Sequence, residues 1–318
     1  MRPPLPRPRV PRRTLLALGA GAPLALAACS SGGDAGRAGT PAPTARYRPT
    51  EMDPLTAVPT GLDAGQCRTY RYGEHPRQVS DLWLPEDPRD GLVVAVHGGG
   101  YNDTTTRNDV VSWVADLVSN RWPVLNVDYR GAGDAGWPGT FEDVATAVDI
   151  AVDAAIEQGV NATNSMIVGH SAGGHLAMWA AARHRLPAGA PGADPRWRPR
   201  CAASFSGVLH PSELGDLDTG DSNVIAVFGG TTAQVDDRYA VGDPTRLVPL
   251  GMPLLACHGT ADRVVSDQQS VQFAEAARGA GDDVELRLVE GADHGQPLNT
   301  GSPMFQIGVQ FLVAQLGD

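Results

Sequence analysis

The sequence predicts an α/β protein with a mostly parallel central sheet, flanking helices and a small lid-like insertion. Three observations predict it. Short apolar runs such as Leu92-Val93-Val94-Ala95-Val96 lack in-and-out alternation, the pattern of strands covered on both faces. Helical stretches alternate with these runs from about residue 66 onward. No internal repeat is present; 318 residues allow one large α/β domain or two small ones, and the strand–helix alternation argues for one.

The strands expected in order are Gln78 to Leu84, Leu92 to Val96, Val124 to Tyr129, Ser165 to Gly169, Cys201 to Val208, Leu254 to His258 and Val284 to Val289. The helices expected between them are Asp109 to Asn120, Phe141 to Gln158, Gly173 to His184, Asp267 to Gly279 and Met304 to Leu316. Val144, Val148, Val152 and Ile156 stand four apart, which places an apolar stripe on the second of these helices. The stretch from Leu209 to Met252 breaks the alternation with short pieces rich in Gly, Asp and Pro. It reads as a lid or pocket wall over one end of the sheet.

Composition narrows the function. All 25 basic residues are Arg, and five of them lie in the first 28 residues, which hold no acid. Without that piece the body carries 20 basic against 36 acidic residues, a formal charge of −16. A body so acidic is a poor match for a phosphate backbone, so no nucleic-acid partner is expected.

Residues 1–28 read as a signal peptide. A Pro- and Arg-rich start ends in Arg12-Arg13, and the apolar run Thr14 to Ala28 follows. That run is 15 residues long with Pro23 inside it, short of the ~20 that span a bilayer. Leu26-Ala27-Ala28-Cys29 resembles the bacterial lipobox, in which the cysteine takes a diacylglycerol and the chain is cut before it. Arg12-Arg13-Thr14-Leu15-Leu16 resembles a twin-arginine signal, with a plain positive n-region as the other reading. Residues 29–65 are then a lipidated Cys29 and a flexible linker, and 66–318 the catalytic domain. The expectation is a lipoprotein on the outer face of a bacterial cell membrane. Cys67, Cys201 and Cys257 remain, an odd number that leaves at least one unpaired within a monomer.

Four segments at expected strand ends carry the chemistry, where open α/β sheets meet their ligands. Gly169-His170-Ser171-Ala172-Gly173 lies between a β-branched run and a helix, as a nucleophile elbow requires. Small residues must flank the serine because the turn is tight, and the helix start behind it offers free N–H groups to an oxyanion. His97-Gly98-Gly99-Gly100-Tyr101 ends an earlier strand, and its glycines let backbone N–H groups face a bound atom. No Walker or dinucleotide spacing accompanies it. His258-Gly259-Thr260-Ala261-Asp262 and Asp293-His294 supply an acid and a base in the chain order Ser, Asp, His. Asp293 adjoins His294, but adjacent side chains point apart, which favours Asp262 as the partner. Paired metal-ligand spacing such as H-x-x-x-H is lacking, so neither metal nor cofactor is expected.

These stretches resemble the α/β-hydrolase superfamily, in particular the esterase branch with an HGGG loop that includes hormone-sensitive-lipase-like and kynurenine-formamidase-like enzymes. Asp128-Tyr129-Arg130 and the run from Trp137 to Val144 match as well, in the right order. The resemblance implies an α/β-hydrolase fold with Ser171 as nucleophile, Asp262 as acid and His294 as base. It implies an oxyanion hole from the N–H groups of Gly99, Gly100 and Ala172. Where the hormone-sensitive-lipase group continues Tyr-Arg with Leu-Ala-Pro-Glu, this chain has Gly131-Ala132-Gly133-Asp134. The expected activity is cleavage of a small-molecule carboxylic ester through an acyl-enzyme. An amidase or peptidase on the same triad is the alternative, and a non-catalytic binding lipoprotein a further one.

Overall fold

The computed structural model describes residues 49–50, 52–216 and 221–317. Cys29, the signal segment and most of the expected linker lie outside them. In chain order the elements are β1 (Pro49–Thr50), β2 (Cys67–Arg71), β3 (Val79–Trp83), β4 (Leu92–Val96), α1 (Val111–Ser119), β5 (Val124–Val127), α2 (Gly136–Glu157), β6 (Ser165–His170), α3 (Ala172–Ala182) and β7 (Cys201–Phe205). The second half holds α4 (Pro211–Leu214), α5 (Ser222–Phe228), α6 (Asp236–Gly242), β8 (Leu254–Gly259), α7 (Gln268–Ala280), β9 (Val284–Val289) and α8 (Pro303–Leu316).

The strands form one sheet in the order β1-β2-β3-β5-β4-β6-β7-β8-β9. From β5 to β9 every neighbouring pair is parallel, while β1, β2 and β3 extend the sheet in antiparallel fashion. Both faces are covered, as the unalternated runs require. In β4, Leu92, Val94 and Val96 join one core with α2, α3 and α7, while Val93 and Ala95 join the other with α1 and α8. Each parallel strand therefore ends at the same edge of the sheet, and the loops after β4, β6, β8 and β9 gather there.

Three expectations need correction. The strand Cys67–Arg71 was not expected, because its sequence CRTYR is short, carries two arginines and lacks the continuous apolar run that marks the buried parallel strands. The linker reading also fails over its described part, 52–65. Asp53 and Thr56 are buried, and Met52 and Leu62 pack against the core. Their polar groups find partners: Asp53 N–H donates to Thr69 Oγ1 (3.0 Å), and Thr56 Oγ1 donates to Asp81 (2.8 Å). In α2, Val144 and Val148 are buried but Ile156 is 66% exposed. A four-residue step overshoots one helical turn by about 40°, so the valine row drifts off the buried face. Ala147, Ala151, Ala154 and Ala155 carry the packing instead.

Beneath the sheet edge lies a buried ionic frame. Arg107 reaches Asp81 (2.5 Å), Asp128 (2.9 Å) and Asp53 (3.6 Å), and Arg77 reaches Asp128 (2.9 Å). Burial pushes the Asp128 carboxyl up, but the hydrogen bond from His97 and the charges of His97, Arg77 and Arg107 pull it down to about 2. Such a frame is costly to break from one side, because the partners keep their buried charge. Arg107→Met is therefore expected to lower stability by roughly 3–5 kcal/mol. Urea denaturation would read this as a lower midpoint at unchanged slope; an unchanged midpoint would mean the frame is energetically idle.

Candidate active site

Ser171 stands between β6 and α3 with φ 56° and ψ −123°, a conformation that non-glycine residues adopt only when the surroundings impose it. Here the imposition is steric. A Cβ on Gly173 would strike the carbonyls of Val96 and His97 at the end of β4, and one on Gly169 would strike the Gly173 carbonyl. The elbow is thus pressed against its neighbouring strand without side chains between them. Ser171 N–H donates to the Phe205 carbonyl (2.9 Å), and its own carbonyl accepts from His175 N–H (3.2 Å) at the start of α3.

The close approach brings the loop after β4 beside the serine. Gly99 (φ 99°) and Gly100 (φ 58°) turn here, and a side chain at Gly99 would collide with Thr105. Among the described residues, the N–H groups of Gly99, Gly100 and Ala172 donate to no protein acceptor. All three residues line a cavity of about 390 Å³ together with Ser171 and His294. The loop is anchored from below. Arg77, held by Asp128, donates to the carbonyls of Asn102 (3.2 Å) and Thr105. Tyr129 Oη donates to the His97 carbonyl (2.8 Å), and its ring stacks on that imidazole at 4.3 Å. Tyr101 Oη meets His175 Nδ1 at 2.8 Å, while His175 Nε2 meets the Gly242 carbonyl at 2.8 Å, so one imidazole ties the loop to the end of α6. Burial pushes the His175 pKa down to about 4, leaving this link neutral.

The acid and base arrive from the loops after β8 and β9. Asp262 Oδ2 lies 2.7 Å from His294 Nδ1 and 3.3 Å from His258 Nε2. Its other oxygen accepts from the N–H groups of Val264 and Val265, both at 2.9 Å. Burial alone would raise the carboxyl, but the hydrogen bonds from His258, His294 and the two N–H groups hold it far below the usual range. The fully buried His258 also meets the Val265 carbonyl (3.0 Å) and Ser270 Oγ (2.8 Å), so it braces the carboxylate. Asp293 is occupied elsewhere: it accepts from Gly295 and Gln296 N–H groups, both 3.1 Å, within its own turn.

Ser171, His294, Gly99, Gly100 and Ala172 line one cavity, Asp262 contacts His294 from behind, and Cys29 lies outside the described residues. Arg77, Arg107, Asp81, His170 and His175 had no assigned part in the sequence reading. For Asp81 and His175 the advance signal is a charge or imidazole inside an apolar run, as in Val79-Ser80-Asp81-Leu82-Trp83, whereas Arg77 and Arg107 stand in polar stretches that carry no such signal. Cys67, Cys201 and Cys257 are buried free thiols, and burial raises the thiols of Cys201 and Cys257 to about 12. Among the described residues, no group of three or more His, Cys, Asp or Glu side chains is arranged to hold a metal ion. None of the described helices is long and apolar enough to cross a membrane.

The sequence model of the BD-FAE family matches residues 80–277. The chain belongs to the BD-FAE family. Among curated relatives, esterase LipQ of Mycobacterium tuberculosis is 25% identical over 227 residues, 69% of this chain and 54% of that protein. Esterase LipC of the same organism is 25% identical over 254 residues, 74% and 61% of the two chains. Hormone-sensitive lipase of Bos taurus is 30% identical over 159 residues, 47% of this chain and 21% of the lipase. The chain therefore spans between about half and three fifths of the two mycobacterial esterases' length. Esterase B from Lactobacillus rhamnosis superposes with a TM-score of 0.65 at 20% identity, covering 78% of this chain and 85% of that one. A truncated carbohydrate esterase from gut microbiota gives 0.65 at 20% identity, with 75% and 91% coverage. The fold is the α/β-hydrolase fold, as the elbow and the strand order require.

The cavity's charge is one-sided in this BD-FAE member. Among the described residues Asp109 and Asp221 line it, and no arginine does. Asp221 also caps α5 through the Asn223 N–H at 2.8 Å, an interaction that an amide oxygen can replace. Turnover of a choline ester over a matched hemisuccinate is expected to fall roughly 3- to 10-fold in Asp221→Asn, the scale of a partly screened charge. An unchanged ratio in steady-state kinetics would remove Asp221 from substrate selection.

Proposed function

We propose that the protein is a serine hydrolase that cleaves carboxylic esters through an acyl-enzyme. Ser171 Oγ attacks the carbonyl carbon while His294 Nε2 takes its proton. Asp262 keeps the imidazole proton on Nδ1 and stabilises the imidazolium that forms. The N–H groups of Gly99, Gly100 and Ala172 receive the oxyanion. His294 returns the proton to the leaving alkoxide, and the acyl group stays on Ser171. Water then attacks the acyl carbon with the same base and the same donors, and the carboxylic acid leaves.

The observation that carries this reading is the 2.7 Å contact between His294 Nδ1 and Asp262, made by an imidazole that shares one cavity with a strained elbow serine. A carboxylate so strongly held is a poor proton acceptor itself, which leaves His294 to move the proton. A cavity of about 390 Å³ suits a small ester, being near the low end of small-molecule pockets. The esterase names among relatives and the carbohydrate esterase among structural neighbours agree with that class.

A fluorophosphonate probe should label the wild type and leave Ser171→Ala unlabelled. With p-nitrophenyl acetate, kcat of that variant should fall about 10⁶-fold, the scale of losing a triad nucleophile. Substantial residual turnover would overturn the assignment.

We also propose, from the sequence alone, export as a lipoprotein anchored through Cys29. Radiolabelled palmitate fed to expressing bacteria should enter the wild-type chain and not Cys29→Ser. Equal incorporation by both would refute the anchor.

A further inference from the structure

His170 has no part in the steps above, yet it stands at the centre of the site. It is the last residue of β6, directly before Ser171, and it is 4% exposed. Its Nε2 lies 2.8 Å from the backbone carbonyl of His294, and the two imidazole rings are 4.7 Å apart at 50°. A carbonyl can only accept, so His170 carries its proton on Nε2 and donates it to that oxygen. Its Nδ1 is buried without a protein partner among the described residues and faces the glycine loop. A Cβ added at Gly98 would come within 3.1 Å of that nitrogen and 2.8 Å of the His170 carbonyl. The imidazole therefore fills the slot where elbow, glycine loop and base loop meet.

We infer that His170 is a positioning residue, whose Nε2–H ties the His294 carbonyl to the strand that carries Ser171 and so holds proton donor and acceptor in register. This rests on the proposed roles of Ser171 and His294. The loop after β9 bears His294 at its tip, and the ring is held at Nδ1 by Asp262 alone among the contacts described above. One hydrogen bond leaves an imidazole free to pivot about it; the His170 bond to the main chain supplies a second fixed point. The anchor is built on the chain segment that carries Ser171, so movement of the elbow carries the base along with it.

The tie keeps one protonation state. The titratable groups facing His170 are His294, Asp262 and His258. Burial, reinforced by the neighbouring His294 imidazole, pushes the His170 pKa down to about 4, against the opposing pull of the His294 carbonyl and Asp262. At neutral pH the ring is a neutral donor, and the single proton it holds is committed to the carbonyl. It is placed to orient the reacting imidazole and not to exchange protons with substrate.

The test compares three variants of the full chain with p-nitrophenyl acetate. His170→Phe fills the slot without a donor. His170→Gln restores an N–H near the position of Nε2. His170→Leu is the smaller apolar control should the phenyl ring disturb folding. The apolar variants should lose roughly 10- to 100-fold in kcat, the scale of a misplacement of about 1 Å between reacting groups. KM should stay within about twofold, because His170 is one wall residue of the cavity, the replacements keep that wall filled, and the other lining side chains are unchanged. The Gln variant should recover most of the loss while matching the apolar variants in urea midpoint. Equal kcat for Gln and the apolar variants, or a kcat that falls only in step with stability, would overturn the role. Fluorophosphonate labelling separates this from the reading beneath it: an unlabelled wild type refutes the hydrolase, whereas a labelled wild type with fully active His170→Phe refutes the positioning role alone.

Discussion

The arrangement depends on one steric constraint, the direct seating of the elbow on the end of β4. Gly169 and Gly173 bring two backbones to a distance that admits no side chain, and the carbonyls of Val96 and His97 occupy the space a Cβ would need. Two consequences come from that single approach. Ser171 is forced to positive φ and stands out into the cavity, and the glycine loop, which continues from His97, is delivered to its side. A strained backbone persists only where its surroundings over-determine it. Here the strands on both sides of β6 and the first turn of α3 do so.

The loop needs support from below, because a run of glycines has no side chains with which to hold itself. That support is the frame of Arg77, Arg107, Asp81 and Asp128. Arg77 spends its donors on loop carbonyls and on Asp128, and Arg107 ties Asp128 to Asp81 and to Asp53 from the N-terminal segment. A buried frame of this kind adds little net stability compared with apolar packing of the same volume, but it fixes geometry. Gly99 and Gly100 keep their place on the cavity wall while the Asn102 and Thr105 carbonyls of the same loop are engaged by Arg77.

Five histidines around the site show how environment divides one residue type into several jobs. His97 stacks on Tyr129 and meets Asp128; His175 is a neutral strut between the glycine loop and the end of α6; His258 braces Asp262. His170 and His294 lie ring against ring, one donating to the other's main chain. Only His294 combines contact with a carboxylate and a place on the cavity wall beside Ser171. Exposure separates the jobs: its side chain is 18% exposed, whereas those of His97 and His258 are at 1% and 0%.

The sequence by itself determined the parallel sheet, the elbow and the chain order of Ser171, Asp262 and His294. These follow from local patterns: unbroken apolar runs, glycines flanking a serine, acid and imidazole just past strand ends. It did not reveal that residues 52 to 65 belong to the folded body, since Asp53 and Thr56 look like linker until Thr69, Asp81 and Arg107 are seen to meet them. Nor did it reveal the partners of Arg77, the work of His170, or which valines of α2 face inward. Those depend on contacts between residues far apart along the chain, such as the 124 positions between His170 and His294. Tertiary structure decided them, because a buried polar side chain takes its meaning from whichever partner the fold brings within about 3 Å of it.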